Sequence, residues 1–293
     1  MITQDFSDQE AFLLVDISYC LHALAHTALN EYATEFDVPD DQEELFKIDF
    51  STHPEYLAIL SRCIVTNIRK YAKQFNVKIR DIILCADCPK RDIWRMSIYP
   101  NYKLHRLIQE PKGLNKGPLF KFLFDKLIPN LMERKFCKLL RYHCAEGDDI
   151  IAISHKYIRE KYPTTKIIIV GSDHDLMQLI DDKTYLVNIQ NQLLNEKSEG
   201  SKKDLYLKIL LGDTSDNIHS VFEKTKGDKH LAKGFGVKTA KLFRDDVKLL
   251  KEKLEQYPAA KEKLKLNTQL VDFKYIPALV QNGILEEIKK VLI

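Results

Sequence analysis

The chain has 293 residues, of which 45% are hydrophobic, so it is long and apolar enough to bury a substantial core, and general disorder is excluded. Its 45 Lys and Arg residues nearly balance 42 Asp and Glu residues, and the resulting net charge of +3 identifies no partner by itself. Its apolar runs fall far short of the roughly 20 residues that span a bilayer, so we expect no membrane association. The first residues lack the pattern of a secretory signal, and the six cysteines lie in the first half of the chain without the pattern of a disulfide scaffold. We therefore expect an intracellular protein, cytoplasmic or nuclear, with reduced thiols.

Short apolar segments alternate with long amphipathic segments over the first two thirds of the chain. The predicted strands are Phe12–Val15, Ile82–Ala86, Lys138–Tyr142, Lys166–Val170 and Tyr185–Ile189. Between the first two strands, apolar residues of 56–75 recur at spacings of three and four, which predicts an amphipathic helix. Strands that alternate with helices in this way predict an α/β fold with a mainly parallel central sheet flanked by helices.

From about Lys202 onward the strand patterns stop and helix patterns continue. Helices are predicted at Leu205–Leu211, Val237–Phe243 and Val247–Gln256, with a further one near Leu285–Leu292. We therefore predict two domains, an α/β domain over residues 1–200 and a helical C-terminal subdomain over residues 201–293.

Carboxylates follow four of the predicted strands, at the point where each strand ends. They are Asp16, Asp87, the group Glu146, Asp148 and Asp149, and the pair Asp173 and Asp175. Because ligands bind beyond the carboxyl ends of parallel strands, we expect these side chains to meet at one edge of the sheet. Asp213 and Asp216, which are three residues apart, bring the predicted cluster to nine carboxylates.

The number of these carboxylates, more than any one of them, indicates function. A single Asp after a strand is more often a turn former or a helix N-cap. Nine carboxylates in one place, however, would repel one another unless cations lay among them. Oxygen ligands without His or Cys favour Mg²⁺, or Mn²⁺ in its place, and a pair of such ions is typical of two-metal hydrolysis of a phosphodiester.

At these residues the sequence resembles the flap endonuclease and 5′-nuclease family, whose members include the 5′-nuclease domains of bacterial DNA polymerase I and the ribonuclease H of T-even bacteriophages. The resemblance extends from Phe12 to about Val280. It is carried, in order, by Leu14-Val-Asp-Ile17, Leu84-Cys-Ala-Asp87 with Trp94-Arg95, Tyr102-Lys-Leu-His-Arg106, Glu146-Gly-Asp-Asp149, Ser172-Asp-His-Asp175, Lys208-Ile-Leu-Leu-Gly-Asp213 with Asp216-Asn217, and Leu270-Val-Asp-Phe-Lys-Tyr-Ile-Pro277.

The resemblance implies a structure-specific 5′-3′ exonuclease and flap endonuclease that acts on branched or primer-bearing DNA and on RNA/DNA hybrids, in replication or repair. It also implies two groups of ligands, some acting through water. Those of the first Mg²⁺ are Asp16, Asp87, Glu146, Asp148 and Asp149, and those of the second are Asp173, Asp175, Asp213 and Asp216.

A basic and aromatic stretch matches the helical arch of the family, which we place at about residues 88–130. By this resemblance Lys103 and Arg106 contact the scissile phosphate and act in catalysis. Tyr102 is placed to stack on a base, and Arg95 is counted with the residues that bind nucleic acid. The chemistry of these residue types is consistent with the roles that the resemblance implies, because fixed cations stabilise a phosphoryl-transfer transition state and aromatic faces hold unpaired nucleotides.

The segment Lys233-Gly-Phe-Gly-Val-Lys-Thr-Ala240 opens a predicted helix. It lacks the spacing of a Walker A loop and resembles the helix-hairpin-helix turn of the family, which implies that Gly234, Gly236, Lys238 and Thr239 grip duplex phosphates, commonly with K⁺. A pair of C-cap glycines is the structural alternative. About fifteen residues, 219–233, replace the few that most members have here, and this insertion either extends the grip on the duplex or removes the K⁺ site.

Two other functions fit parts of the pattern. A PIN-type endoribonuclease shares the sheet and a carboxylate cluster, and a non-catalytic binder of branched DNA would keep the scaffold alone. We expect a monomer, encoded by a cell, a virus or a phage, with a replication clamp or single-strand-binding protein as a candidate partner. Without the nine carboxylates, 33 acidic residues remain against 45 basic ones, which is the balance expected of a protein that follows a phosphate backbone.

Overall fold

The computed structural model describes residues 11–36, 38, 46, 48–89, 92–108, 113–222 and 235–292. A five-stranded sheet lies at its centre, with strands β1 Ala11–Asp16, β2 Val77–Ala86, β3 Lys138–Arg141, β4 Lys166–Val170 and β5 Thr184–Val187. The strand order is β3-β2-β1-β4-β5 and every neighbouring pair is parallel. The predicted α/β fold with a mainly parallel sheet is confirmed.

Helices connect the strands and continue beyond the sheet. They are α1 Ile17–Glu35, α2 Pro54–Gln74, α3 Trp94–Ile98, α4 His105–Ile108, α5 Gly117–Phe122, α6 Ile128–Glu133, α7 Gly147–Lys161, α8 Ser201–Leu211, α9 Val237–Asp245, α10 Val247–Gln256, α11 Pro258–Val271 and α12 Ala278–Leu292. A π-helical segment, Leu123–Leu127, joins α5 to α6. None of the described helices is both long and apolar enough to cross a membrane.

Both faces of the sheet are covered, and this explains why its strands are almost continuously apolar. Leu13 and Val15 point to the face covered by α1 and α2, whereas Phe12 and Leu14 point to the face covered by α7 and α12. The sheet is therefore the middle layer of three, and only its two ends are open.

The order of the strands determines where a ligand can bind. The chain runs outward from β1 through β2 to β3 and then returns to the other side of β1 to form β4 and β5. Helices on opposite faces leave a crevice at such a reversal, outside the carboxyl ends of the strands. Here the crevice opens beside Asp16 at the end of β1, next to the chain that leaves β4.

The C-terminal helices belong to two different parts of the fold, whereas the predicted boundary placed them all in one subdomain. Helices α8 to α11 share a small core with Phe222, and α10 contributes Leu250 to it. Helix α12 instead packs on the sheet side, with Ile284 and Ile288 in the core beneath α7. The approach is so close that a Cβ on Gly283 would lie 2.1 Å from the hydroxyl oxygen of Tyr142. Helix α12 is therefore part of the α/β layer structure, although the prediction assigned it to a separate helical subdomain.

Candidate metal and phosphate site

A cavity of about 560 Å³ opens at the carboxyl edge of the sheet. Five of the predicted metal ligands and both predicted catalytic cations line it: Asp16, Asp87, Glu146, Asp148, Asp173, Lys103 and Arg106. The topology thus brings residues from five segments, separated by up to 157 positions, to one place.

Asp16 and Asp87 are fixed by backbone N–H groups. Asp16 ends β1 and caps α1, accepting a hydrogen bond from the amide of Tyr19 at 2.9 Å. Asp87 accepts one from the amide of Gly147 at 2.7 Å, which joins the end of β2 to the start of α7. Burial, followed by the nearby charges of Asp87 and Asp173, raises the pKa of Asp16 to about 7. A cation placed among these carboxylates would relieve that cost.

Gly147 allows the first turn of α7 to reach these carboxylates. A Cβ at this position would lie 3.3 Å from Oδ1 of Asp87 and 3.7 Å from Oδ1 of Asp16. A larger residue would press on the side chains that line the cavity.

Glu146 is the most heavily paired carboxylate of the cavity. It accepts hydrogen bonds from Nη1 of Arg95 at 2.9 Å, the hydroxyl of Tyr102 at 2.8 Å and Nζ of Lys103 at 2.6 Å. Burial by itself would raise the pKa of Glu146, but the charges of Lys103 and Arg95 outweigh it and lower the pKa to about 2. Glu146 therefore stays ionised throughout the physiological pH range.

Arg95 lies inside the carboxylate cluster. This position contradicts the prediction that Arg95 contacts nucleic acid. The side chain is buried, with its Nη2 2.8 Å from Oδ1 of Asp149 and its Nε donating to the carbonyl of Leu270 at 2.8 Å. Its guanidinium also stacks on Trp94, at 4.5 Å from the ring centroid. Arg95 is an internal counterion and does not reach a surface where nucleic acid could bind.

Tyr102 is likewise buried, only 2% exposed, and it does not present a ring on which a base could stack. Its hydroxyl lies 2.8 Å from Oε2 of Glu146 and 3.0 Å from Oδ2 of Asp216. The predicted stacking role is therefore also corrected: Tyr102 bridges two carboxylates that come from distant parts of the chain.

Lys103 and Arg106 line the cavity, and each is paired with carboxylates in this structure. Nζ of Lys103 lies 2.6 Å from Glu146 and 3.4 Å from Asp216. Nη2 of Arg106 lies 2.8 Å from Asp216, and the Arg106 side chain is 39% exposed. Both cations can reach a group in the cavity by exchanging one partner for another.

A second group of carboxylates surrounds Lys208. Nζ of Lys208 lies 3.1 Å from Asp175 and 2.6 Å from Asp213. Burial and the charge of Asp173 raise the pKa of Asp175 to about 7, although Lys208 opposes them. For Asp213, burial is outweighed by Lys208, and its pKa is lowered to about 2.

Sequence reasoning did not assign a site role to Lys208. The signal was available, because this lysine lies in the last turn of α8, five residues before Asp213 and within the segment that carries the family resemblance. A basic residue in that turn also suits the helix dipole, so its position alone does not indicate a functional site.

The nine predicted carboxylates thus include two compact groups of oxygen donors. Within Glu146, Asp148 and Asp149, and again within Asp175, Asp213 and Asp216, one oxygen of each residue lies within 4.8 Å of the others. Asp173 caps the short helix His174–Leu179 by accepting from the amide of Asp175. Because all the donors are carboxylate oxygens, this set suits hard divalent cations such as Mg²⁺ or Mn²⁺.

The predicted helix-hairpin-helix residues are only partly described. Gly236 caps the start of α9, with no atom within 4 Å of a Cβ placed on it, and Lys238 is exposed. Thr239 is half-buried on the first turn of α9. Gly234 and most of the 219–233 insertion lie outside the described residues.

Comparison with known proteins gives a family match. Residues 56–205 match the model of the 5′-3′ exonuclease N-terminal, resolvase-like domain. A search of curated proteins found no sequence that matches this chain.

Solved structures of a bacteriophage T5 enzyme share the fold over nearly the whole chain. The T5 5′-exonuclease with bound zinc is 19% identical, with a TM-score of 0.66 and coverage of 97% of this chain and 100% of that one. A variant of the T5 flap endonuclease in complex with DNA and metal ions is 17% identical, with a TM-score of 0.65 and coverage of 96% and 99%. The fold described above is therefore shared with that phage nuclease.

Proposed function

This chain belongs to the 5′-3′ exonuclease family, and we propose that it is a Mg²⁺-dependent 5′ nuclease that hydrolyses phosphodiesters of 5′-flapped or RNA-primed DNA. The observation that carries the proposal is the cavity at the carboxyl edge of the sheet. There, carboxylates from β1, β2, α7 and the segment after β4 face Lys103 and Arg106. Oxygen donors for cations and basic groups for a phosphate thus line one space.

Two divalent ions suit this donor set. Asp16, Asp87, Glu146 and Asp148, which line the cavity, would hold one of them together with the adjacent Asp149, whereas Asp173, Asp175, Asp213 and Asp216 would hold the other, in part through water. When bound, such ions activate water for attack on a phosphodiester and stabilise charge on the leaving oxygen. Mn²⁺ would substitute for Mg²⁺ because it accepts the same ligands.

The cations of the chain itself have distinct tasks in this proposal. Lys103 and Arg106 orient the scissile phosphate by exchanging Glu146 and Asp216 for its oxygens. Asp149 is fully buried against Trp94 and Arg95, so it positions the start of α7 and does not reach the substrate. Lys208 keeps Asp175 and Asp213 from repelling each other before cations bind.

The helical part of the chain would hold the duplex. Gly236, Lys238 and Thr239 lie at the start of α9. The backbone N–H groups of this helix start and the exposed lysine would bind duplex phosphates, and a K⁺ ion would bind at the same place. The proposal also includes a helical arch within residues 88–130, a monomeric enzyme acting in DNA replication or repair, and a clamp or single-strand-binding protein as its partner.

A double-flap substrate labelled at each end in turn tests the proposal most directly. We expect cleavage that requires Mg²⁺ and leaves a 5′-phosphate, and the product lengths will separate stepwise removal from a cut at the junction. Asp87→Asn and Asp173→Asn should each abolish cleavage while duplex binding is retained. Asp182→Asn, an exposed change just before β5 at the opposite end of the sheet, is the matched control and should retain full activity.

The same assay distinguishes the alternatives. Cleavage of single-stranded RNA with indifference to 5′-flapped DNA would favour a PIN-type endoribonuclease. Binding of branched DNA without cleavage at any Mg²⁺ or Mn²⁺ concentration would favour a non-catalytic binder. Full activity of Asp87→Asn would remove the two-metal assignment.

A further inference from the structure

A second cavity, of about 450 Å³, lies between α2 and α6. We call it the arginine groove. It is lined by Ser61, Arg62, Val65, Arg69, Leu127, Asn130, Leu131, Arg134 and Phe136.

The arginine groove lies away from the carboxylate cavity. Arg69 is on α2 five residues before that helix ends, and the chain then enters β2 at Val77. Phe136 lies two residues before the first residue of β3. Both residues are therefore near the amino ends of the strands, whereas the carboxylates cluster at the carboxyl ends. An occupant of this groove would leave the nuclease site open.

The floor of the arginine groove is apolar. Leu127, Leu131 and Phe136 are buried there, at 7–8% exposure, and Val65 is half-buried. The turn after α6 fixes Phe136, whose amide donates to the carbonyl of Leu131 at 2.8 Å. A floor with this composition accepts an aliphatic or aromatic side chain.

Guanidinium groups surround this floor. Arg62 already pairs with Glu31 and with Glu35. Arg69 stacks over the ring of Phe136 at 5.4 Å from its centroid, and Arg134 is exposed. Among the described residues, neither Arg69 nor Arg134 has a carboxylate within 4 Å, so two guanidinium groups remain available for an acidic ligand.

We propose that the arginine groove is a docking site for an acidic peptide segment of a partner protein that carries an apolar side chain among its carboxylates. Arg69 and Arg134 bind the carboxylates as paired hydrogen-bond donors, and the apolar side chain lies on the floor. Glu31 and Glu35 stand beside Arg62 at one wall and repel any anion there. A phosphate backbone carries charge along its whole length, whereas a peptide can confine its carboxylates to the side of Arg69 and Arg134. The occupant is therefore a peptide and not a nucleic acid.

A synthetic probe tests this docking site in the full chain. The probe is a fluorescein-labelled peptide of eight residues with four Asp, one Leu and one Phe, and its binding is followed by fluorescence anisotropy. Two control peptides replace the four Asp by Asn, or the Leu and Phe by Ser. We expect the acidic apolar peptide to bind at least about tenfold more tightly than either control, because both the charges and the floor contribute.

Substitutions then assign the binding to the groove. Arg69→Gln with Arg134→Gln should weaken binding of the probe at least about tenfold. Asn130→Asp, nearly isosteric and exposed in the groove, should weaken it by adding a negative charge. Lys70→Gln, the same loss of charge one residue further along α2 and outside the groove, should change it less than about twofold. Cleavage of a double-flap DNA should be unchanged in all of these variants.

Three results would overturn the proposal. The first is equal affinity of the probe for the double arginine variant and for the unchanged protein. The second is equal affinity of the acidic and the Asn-substituted peptides. The third is that the peptide does not bind, whereas a labelled single-stranded DNA binds the unchanged protein and binds the double arginine variant more weakly. That result would make the groove a nucleic-acid contact.

Discussion

At the scale of single residues, the guanidinium of Arg95 holds the interior of the carboxylate cluster together. It contacts Glu146 and Asp149, and its Nε is satisfied by the carbonyl of Leu270. Removing one partner of such a buried set leaves uncompensated charge, and the usual cost is about 3–5 kcal/mol. We therefore expect Arg95→Met to lower the free energy of unfolding, measured by urea denaturation in EDTA, by an amount in this range.

The control for this prediction is Arg134→Met, which removes an exposed guanidinium of the same size. It should change the free energy of unfolding by less than about 0.5 kcal/mol. Comparable losses in the two variants would show that the pairs around Arg95 contribute nothing specific to stability.

Residue types could be predicted from the sequence better than residue environments. The carboxylates that line the cavity were identified by their position after strands, since that relation is local. The burial of Arg95 and Tyr102 was not predicted because it depends on Leu270 and Asp216, which lie 175 and 114 positions further along the chain. The role of each carboxylate as a metal ligand stays a prediction.

At the scale of elements, Gly212 shapes the turn that carries Asp213 and Asp216. Its φ of 71° is in the left-handed region, and a Cβ there would lie 2.4 Å from the carbonyl oxygen of Ile218. Asp213 and Ile218 form a pair of backbone hydrogen bonds across this turn, so the clash cannot be relieved without breaking them. We expect Gly212→Ala to cost about 3 kcal/mol or more of stability and to reduce cleavage.

Gly200 supplies the matched comparison. Its φ is 111°, but no atom lies within 4 Å of a Cβ placed on it. Gly200→Ala should therefore show the cost of backbone strain alone, about 1–2 kcal/mol, measured by the same denaturation experiment. An equal loss in both variants would mean that the close contact at Gly212 is relieved without cost.

Helix α7 carries a half-buried histidine, His155, that makes stability depend on pH. His155 lies 2.8 Å from the hydroxyl oxygen of Thr184, and burial lowers its pKa from 6.5 to about 4. Between these two values the unfolded chain binds a proton that the folded chain does not. The contribution of His155 is therefore complete above pH 6.5 and is lost as the pH falls toward 4, with a magnitude of about 3 kcal/mol.

This pH dependence can be separated from that of the carboxylates by substitution. The free energy of unfolding should fall more steeply between pH 7 and pH 5 in the unchanged protein than in His155→Gln, measured by urea denaturation in EDTA. Parallel curves for the two proteins would show that His155 titrates alike in the folded and unfolded chains.

Local periodicity predicted the elements whose buried faces are apolar. The helix predicted at 56–75 is found as α2, with its boundaries changed by one or two residues. Helix α11 was not predicted, and its buried face includes the polar Asn267, which donates to the carbonyls of Ile209 and His219. Only the folded chain supplies those acceptors, so no periodic signal marks that position.

At the scale of the whole molecule, the uneven distribution of charge predicts how the protein binds DNA. The carboxylates are concentrated at one edge of the sheet, which leaves a surplus of basic residues elsewhere. Each phosphate that is neutralised releases counterions, so affinity falls steeply as salt rises. We expect the affinity of Asp173→Asn for a flapped duplex, measured by anisotropy, to fall at least about tenfold between about 50 and 200 mM NaCl.

The variant is used here because it is expected to bind without cleaving. An affinity that stays constant over this range of salt would indicate that the basic residues are scattered and do not form a continuous track along the phosphates.

The position of α12 on the sheet has a consequence for how the protein is made. Gly283 packs on Tyr142, and Ile284 and Ile288 cover the same core as Ile150, yet 141 residues separate Gly283 from Tyr142. At a synthesis rate of about 5–20 residues per second, a ribosome needs roughly 7–28 s to make that stretch. During this time the part of this sheet face that α12 covers stays exposed, although α7 already covers the rest, so we expect the nascent chain to be prone to aggregation until α12 emerges and completes the core.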